Sequence, residues 1–257
     1  MSLYSQVTKL VTRGRAVSLA TLVGKQPEGG PPEIGAKMLI PGDGSAPTGS
    51  IHSDIDGLLR DDAANLLQEE RSRIITYATS SHSYDVFIES FPLPPHLVIV
   101  GAVHIAVPLA RLARMLAFRV TVVDPRRMFA TEARFPDADQ IIVDWPEDAF
   151  PGLDVGPGTS VAVLTHDPKI DVPALMLALT SGALYVGALG SRNTISERKT
   201  ALADLGATPE QLARIHGPIG LDIGARTPSE IALAVMAEVV AVRRALPDRN
   251  ISKIPQD

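Results

Sequence analysis

The chain has 257 residues, 45% of them apolar and 21% charged, a balance that excludes a fibrous or intrinsically disordered protein. Its formal charge of −5, with no basic run, argues against a nucleic acid partner, and the absence of cysteine removes disulfides, thiolate metal sites and a cysteine nucleophile. No stretch approaches the roughly 18 uncharged apolar residues that span a bilayer, and the opening MSLYSQVTKLVTRGR lacks the apolar core of a secretion signal, so a cytoplasmic protein without a membrane partner is expected.

In chain order, AVSLATLV, GAKMLI, RIITYA and YDVFIE are short apolar runs punctuated by glycine and proline, and they predict the strands of a small sheet. Between the second and third, DGLLRDDAANLLQEE places Leu58, Leu59, Ala63, Leu66 and Leu67 at helical spacing with acids opposite, which predicts one amphipathic helix. SFPLPPH, residues 90–96, packs three prolines into a short stretch and reads as an extended linker. Two domains are expected, a small α+β domain over residues 1–91 and a second over residues 92–257.

Beyond the linker the pattern becomes apolar strands alternating with helices: HLVIVG, IAVPLARLARMLA, RVTVVD, DQIIVD, SVAVLT, VPALMLALTSG, LYVGAL and helices onward to Arg244. Strands so continuously apolar are covered on both faces, so the expected second domain is a Rossmann-like, doubly wound parallel sheet. TPSE sets Thr227 as N-cap, Pro228 at the first helical position and Glu230 three residues on, a capping box that opens the last long helix.

In such a sheet ligands bind beyond the carboxyl ends of the strands, and there the sequence collects glycines, arginines, acids and histidines. GAVHIA resembles a GxGxxA phosphate turn, with Gly101 and Ala106 in place but Val103 where a second glycine lets a diphosphate approach the backbone. Asp124 follows 23 residues after Gly101, a spacing that suits a ribose-binding acid, while Arg126 and Arg127 beside it could take an added phosphate. GALGSRNT brings Gly190, Ser191 and Arg192 to a helix start, a candidate anion site. GPIGLDIGART carries Asp222 and Arg226 in a loop that either closes over a ligand or simply enters the last helix. His104, His166 and Asp167 are acid–base or ligand candidates whose alternative is a structural role, and HSDID, residues 52–56, is either a cation site or a solvated helix entry.

Taken together, GAVHIAVPLARLA, VTVVDPR, FATEARFPDAD, THDPKID, YVGALGSRNT and GPIGLDIGARTPSEIALAVMAEVVA resemble the xanthine dehydrogenase accessory factor family, XdhC/CoxI, and GRAVSLATLV, GAKMLIPGDG and DVFIES are similar to that family's smaller domain. The resemblance implies a chaperone that binds and protects the molybdenum cofactor, molybdopterin, assists its sulfuration, and delivers it to a xanthine dehydrogenase-like molybdenum hydroxylase. It implies Gly101, His104, Asp124, Gly190, Ser191, Arg192, Asp222 and Arg226 as cofactor-binding positions, with the client enzyme and a cysteine desulfurase as partners; self-association is expected as well. Two positions depart from the family pattern: Val103 replaces the usual second glycine, and GSIHSDIDGLL stands where many members have an SGGC segment with its cysteine. The alternatives are an NAD(P)-dependent oxidoreductase with His104 or His166 as proton donor, and an assembly partner that binds no cofactor.

Overall fold

The computed structural model describes residues 3–156 and 158–244. The chain divides into two compact units, Met1–Leu93 and Pro94–Asp257.

The first unit opens with a helix, α1 (Leu3–Thr12), that the sequence pattern did not announce. Strands β1 (Val17–Gln26), β2 (Lys37–Pro41), the two-residue β3 (Thr48–Gly49), β4 (Arg73–Ala78) and β5 (Ser83–Phe91) then form an antiparallel sheet in the order β3-β2-β1-β5-β4. Helix α2 (Asp56–Glu69) is the expected amphipathic one, and it buries Leu59, Ala63 and Leu66. Side chains alternate across the central strand as the pleat requires: Val17 and Leu19 join the cluster around Val7 of α1, whereas Ala20 and Leu22 join the one around Leu59 of α2. The HSDID segment serves the entry of α2, for the Asp56 carboxylate accepts the Ile51 and His52 amides at 3.0 and 3.1 Å and the Ser50 hydroxyl at 2.6 Å.

The second unit holds β6 (His96–Val100), β7 (Arg119–Val123), β8 (Gln140–Ile142), β9 (Thr159–Val163), β10 (Tyr185–Ala188) and β11 (Ile215–His216). All pairs are parallel and the order is β11-β10-β9-β6-β7-β8. This is the doubly wound order of a Rossmann fold, with the direction of winding reversing between β6 and β9. Helices α3 (Ala106–Met115) and α8 (Pro228–Arg243) cover one face, where Ala106, Ala110, Ala232 and Val235 meet Leu97, Ile99 and Val122. On the opposite face α5 (Pro168–Thr180) and α6 (Arg192–Asp204) bury Ala174, Leu175, Ile195 and Leu202 against Val98, Val100, Val161 and Val163. Two coverings explain why every residue of β6 is buried and why its sequence shows no alternation. The short α4 (Pro146–Ala149) and α7 (Pro209–Ala213) complete the helices. The capping box at Thr227 and Glu230 is present as read, while residues 245–257 at the end of the second predicted domain lie outside the described residues.

His96 is a polar residue inside this sheet. Its Nδ1 faces the Arg119 guanidinium at 3.0 Å and so accepts, which leaves Nε2–H to donate to the Thr121 hydroxyl at 2.9 Å. Burial and then the Arg119 charge push the imidazole down from 6.5 to about 4. The unfolded chain therefore binds a proton that the folded chain refuses. Stability should be intact above pH 6.5 and fall by about 2–3 kcal/mol as pH drops through that range to about 4. Urea unfolding of the His96→Gln variant at stepped pH should show a visibly shallower slope than the parent over this interval.

Candidate functional site

The site residues chosen from the second half of the sequence lie just beyond the carboxyl ends of β7, β6, β9, β10 and β11, in that order along one edge of the sheet. At the β6 turn Gly101 has φ of 104°, and a Cβ there would lie 2.4 Å from Thr165 Cγ2 and 3.2 Å from the Thr165 amide nitrogen. Glycine is required here because the β6 and β9 loops touch where the winding reverses. Val103, two residues on, is half-buried against the α3 side of the core.

Asp124 ends β7 fully buried. Its Oδ2 accepts the Ala102 amide at 2.6 Å and Arg126 Nη2 at 2.7 Å, while Oδ1 accepts the Arg126 amide and Nε, both at 2.9 Å. Burial alone would raise its pKa, but the bonds from the Arg126 side chain, the Ala102 amide and the Arg126 amide outweigh it, so the carboxyl stays below its usual range. The acid that sequence spacing offered to a ribose thus has both oxygens engaged within the protein. What β7 presents outward is the Arg126 guanidinium.

A cavity of about 720 Å³ opens beside that guanidinium. Its lining comes from Val103, His104 and Pro108 at the turn and start of α3, from Phe129 and Arg134 after β7, and from Pro228 of α8. Arg126 and Arg134 lie 4.8 and 5.7 Å from the Phe129 ring centre. Of the residues chosen from the sequence, the cavity gathers His104 and Arg126. His166, Asp167, Gly190, Ser191, Arg192, Asp222 and Arg226 share the same edge without lining it.

Those seven have clear local settings. Asp167 caps α5 by accepting the Lys169 amide at 3.0 Å, and Ser191 caps α6 by accepting the Thr194 amide at 3.2 Å. His166, Arg192, Asp222 and Arg226 are exposed. Gly190 sits against Thr194, where a Cβ would come within 3.1 Å of Thr194 Cβ. The Arg226 amide donates to Glu230 Oε2 at 2.8 Å, so that residue belongs to the α8 cap.

Beneath the edge lie two polar groups that sequence reasoning missed. Arg198 of α6, 6% exposed, donates to the Leu189 carbonyl, to the Thr165 carbonyl at 3.1 Å and to Asp171, which is wholly buried and also takes the Thr165 hydroxyl. This network clamps the β9 loop to the β10 loop. Burial pushes Asp171 up to about 6 against the pull of Thr165 and Arg198. Farther along, Glu238 of α8 accepts Tyr185 Oη at 2.5 Å and the Gly220 amide at 2.8 Å and lies 3.2 Å from His216 Nδ1. Gly220 presses on α8, since a Cβ would come within 2.9 Å of the Val235 nitrogen, so the 217–226 loop is fastened to that helix. Only the apolar pair Met128 and Phe129, placed between arginines just after a strand, was a readable hint of the crevice.

A larger cavity of about 890 Å³ lies in the first unit beside Lys25 and holds none of the chosen residues. The Lys25 ammonium is already taken by the carbonyls of Gly29, Gly30 and Pro32.

Comparison with known proteins places these features. The profile of the XdhC Rossmann domain matches residues 97–239, and that of the XdhC and CoxI family matches residues 10–78. The uncharacterized protein YqeB of Escherichia coli K12 is 28% identical over 260 residues, covering 96% of this chain and 47% of its own. A Bacillus subtilis 168 protein named as a probable xanthine dehydrogenase component is 34% identical over 160 residues, 62% of this chain and 46% of its own. The molybdenum cofactor insertion chaperone PaoD of E. coli K12 is 36% identical over 99 residues, 37% and 31% respectively. The chain thus spans about half the length, or less, of these curated relatives. A crystal structure of a xanthine dehydrogenase from Bacillus halodurans shares the fold with a TM-score of 0.53 at 21% identity, covering 97% of this chain and 98% of that one.

The Arg198–Asp171 pair offers a direct test of the edge. Arg198→Met leaves a buried carboxylate and two carbonyls without their partner and should cost about 3–5 kcal/mol in urea unfolding. Adding Asp171→Asn to that variant removes the stranded charge and should recover about 1 kcal/mol or more.

Proposed function

Because the chain belongs to the XdhC and CoxI family, we propose that it is an accessory protein that binds the molybdenum cofactor at the carboxyl edge of its parallel sheet and hands it to a xanthine dehydrogenase-like hydroxylase. The observation that carries this reading is the doubly wound sheet whose β7 loop turns the Arg126 guanidinium outward while the neighbouring Asp124 carboxylate is buried and bonded.

The donor set suits one part of that group and not the other. Among the described residues no three His, Asp or Glu side chains cluster as a metal site, and the chain has no cysteine. On this reading the protein's hold would fall on the phosphorylated pterin. For that part the fit is good: Arg126, Arg134 and His104 offer donors around an apolar crevice, and Gly190, Ser191 and Arg192 offer a helix start farther along the same edge. When bound, the cofactor supplies the molybdenum centre at which a client enzyme hydroxylates its substrate.

The chain's own residues divide the remaining work. Gly101 lets the β6 and β9 loops close on each other, Asp124 holds Arg126 in its outward pose, and the exposed His104, His166, Asp222 and Arg226 stand ready to meet the guest or the client. Without a thiol this chain offers no side chain to carry persulfide sulfur, so its part is holding and delivery, with a cysteine desulfurase as the sulfur donor. It acts as a homo-oligomer in the cytoplasm; no helix among the described residues is long and apolar enough to cross a membrane.

An NAD(P)-dependent oxidoreductase fits less well. A ribose diol would have to displace Arg126 from Asp124, and a diphosphate would meet the Val103 side chain.

Purification from a host that makes the cofactor, followed by oxidative release of the pterin, fluorescence detection and molybdenum analysis, tests the proposal. The wild-type chain should retain molybdopterin and raise the activity of a co-expressed hydroxylase, while Arg192→Ala should retain about tenfold less, as expected for the loss of one charge-assisted contact. A wild-type protein that carries no pterin and leaves the hydroxylase unchanged would overturn the reading.

A further inference from the structure

The two sheets end in four edge strands, and three of these are short. Strands β3 and β11 have two residues each, β8 has three, and Pro47 stands directly ahead of β3. A brief or proline-marked edge offers little to another strand, and natural sheets are guarded in this way. The fourth edge, β4, runs for six residues and has no neighbour on its outer side among the described residues. It pairs with β5 in unbroken register, from Arg73 opposite Ile88 to Ala78 opposite Ser83, so no bulge twists it away. From Ile74 to Ser81 the sequence IITYATSS holds no charge and no proline.

The unused backbone groups of this edge can be assigned. The Thr79 amide donates to the His82 carbonyl at 2.8 Å, which makes these two a hydrogen-bonded pair. Such pairs alternate along an antiparallel ladder, so Tyr77, Ile75 and Arg73 also bond toward β5, and the N–H and C=O of Ile74, Thr76 and Ala78 point to the open side. The side chains of those three are exposed, Ile74 to 58%. Ile75 and Tyr77 turn to the other face, where the Tyr77 hydroxyl donates to Asp62 of α2 at 2.7 Å. Leu58, 56% exposed, lies one turn ahead of Asp62 on that helix. Both faces beside the open edge therefore carry an exposed apolar side chain.

We propose that β4 pairs with β4 of a second copy of this chain, antiparallel and centred on Thr76, so that the two five-stranded sheets join across a two-fold axis. Ile74 of one copy lies opposite Ala78 of the other, the two Thr76 residues face each other, and every free N–H of the three residues meets a free carbonyl. Moving the centre by one residue sets Ile74 or Ala78 against a residue beyond the strand. Charge selects the same orientation. Arg73 comes opposite the uncharged Thr79, and the two Arg73 residues lie about 20 Å apart, whereas a parallel pairing would set arginine beside arginine at Arg71 and Arg73. A second copy meets both demands with a segment the chain already presents. The inference deepens the homo-oligomeric part of the reading above by naming its surface, and it does not depend on the cofactor.

Because the chain has no cysteine, single introduced cysteines report the register. Facing residues of a hydrogen-bonded antiparallel pair have Cα atoms about 5.5 Å apart, within disulfide reach. With oxidised glutathione taking the electrons, Thr76→Cys should become a covalent dimer. Ile74→Cys alone should not, because its two cysteines would lie about 14 Å apart, whereas an equal mixture of Ile74→Cys and Ala78→Cys should give the mixed dimer. Light scattering of the full chain at micromolar concentration should give twice the chain mass. Thr76→Pro removes an amide that the β4–β5 ladder does not use, and Ile74→Lys puts a guarding charge on an exposed position. Each should weaken the dimer about tenfold or more. Far-UV circular dichroism matching the wild type shows the sheet intact, and Ile74→Lys carries the test if Thr76→Pro does not fold.

A dimer that keeps its strength in Ile74→Lys, or that cross-links through Ile74→Cys as readily as through Thr76→Cys, overturns β4 as the surface and leaves a homo-oligomer built elsewhere. A wild type that stays monomeric overturns both. Neither result bears on the accessory role, which pterin retention decides.

Discussion

A guanidinium and a carboxylate removed almost entirely from water hold the working edge of this protein together. Arg198 and Asp171 come from helices on the same face of the sheet, and with Thr165 they tie the end of β9 to the end of β10. An isolated buried charge would cost several kcal/mol, so neither partner is tolerable alone, and the geometry of the two loops is fixed by the demand that both be satisfied. Gly101 completes the clamp from the other side, because its missing Cβ is the space that Thr165 fills. Three neighbouring loops around the reversal of winding are therefore tied to one another.

Asp124 sets what that edge presents outward. In a dinucleotide-binding sheet the acid at the end of the second strand faces the ligand, whereas here it is sunk beneath the surface and consumed by Ala102 and Arg126. The substitution of valine at position 103 and the engagement of Asp124 act in the same direction. Both remove features that welcome a dinucleotide, and both leave a shallow apolar crevice edged by positive charge. The loss of a small residue and the retention of an acid thus combine to change what the same fold can hold.

Much of this architecture was legible in the sequence, and the reasons are specific. The strands β6, β7, β9 and β10 are apolar over most of their length because helices cover both faces, and a parallel sheet between two helical layers is the arrangement that such runs, spaced by helical patterns, most directly satisfy. The starts of α6 and α8 announced themselves through Ser191 and through Thr227 with Glu230. The two-residue strands β3 and β11 were too short to leave a period, and α1 lies in an opening stretch without an acidic first turn to mark its start. At the site, the chosen residues fell on one edge because strand ends dictate it. Which of them share a cavity was not legible, since that depends on side-chain directions in loops. The Arg198–Asp171 pair was out of reach for a different reason: its members are 27 positions apart, each inside an ordinary helical pattern, and only the packing of α5 beside α6 makes them partners.

The small residues at the α3–α8 contact give the second unit a mechanical property. Ala106, Ala110 and Ala232 let the two helices approach closely, and both helices also wall the crevice, through Pro108 and Pro228. Glu238 and Gly220 lash the 217–226 loop to α8, so that loop, the helix and one wall form a single lever. A load on the outer side of α8 would therefore be felt at the wall of the crevice.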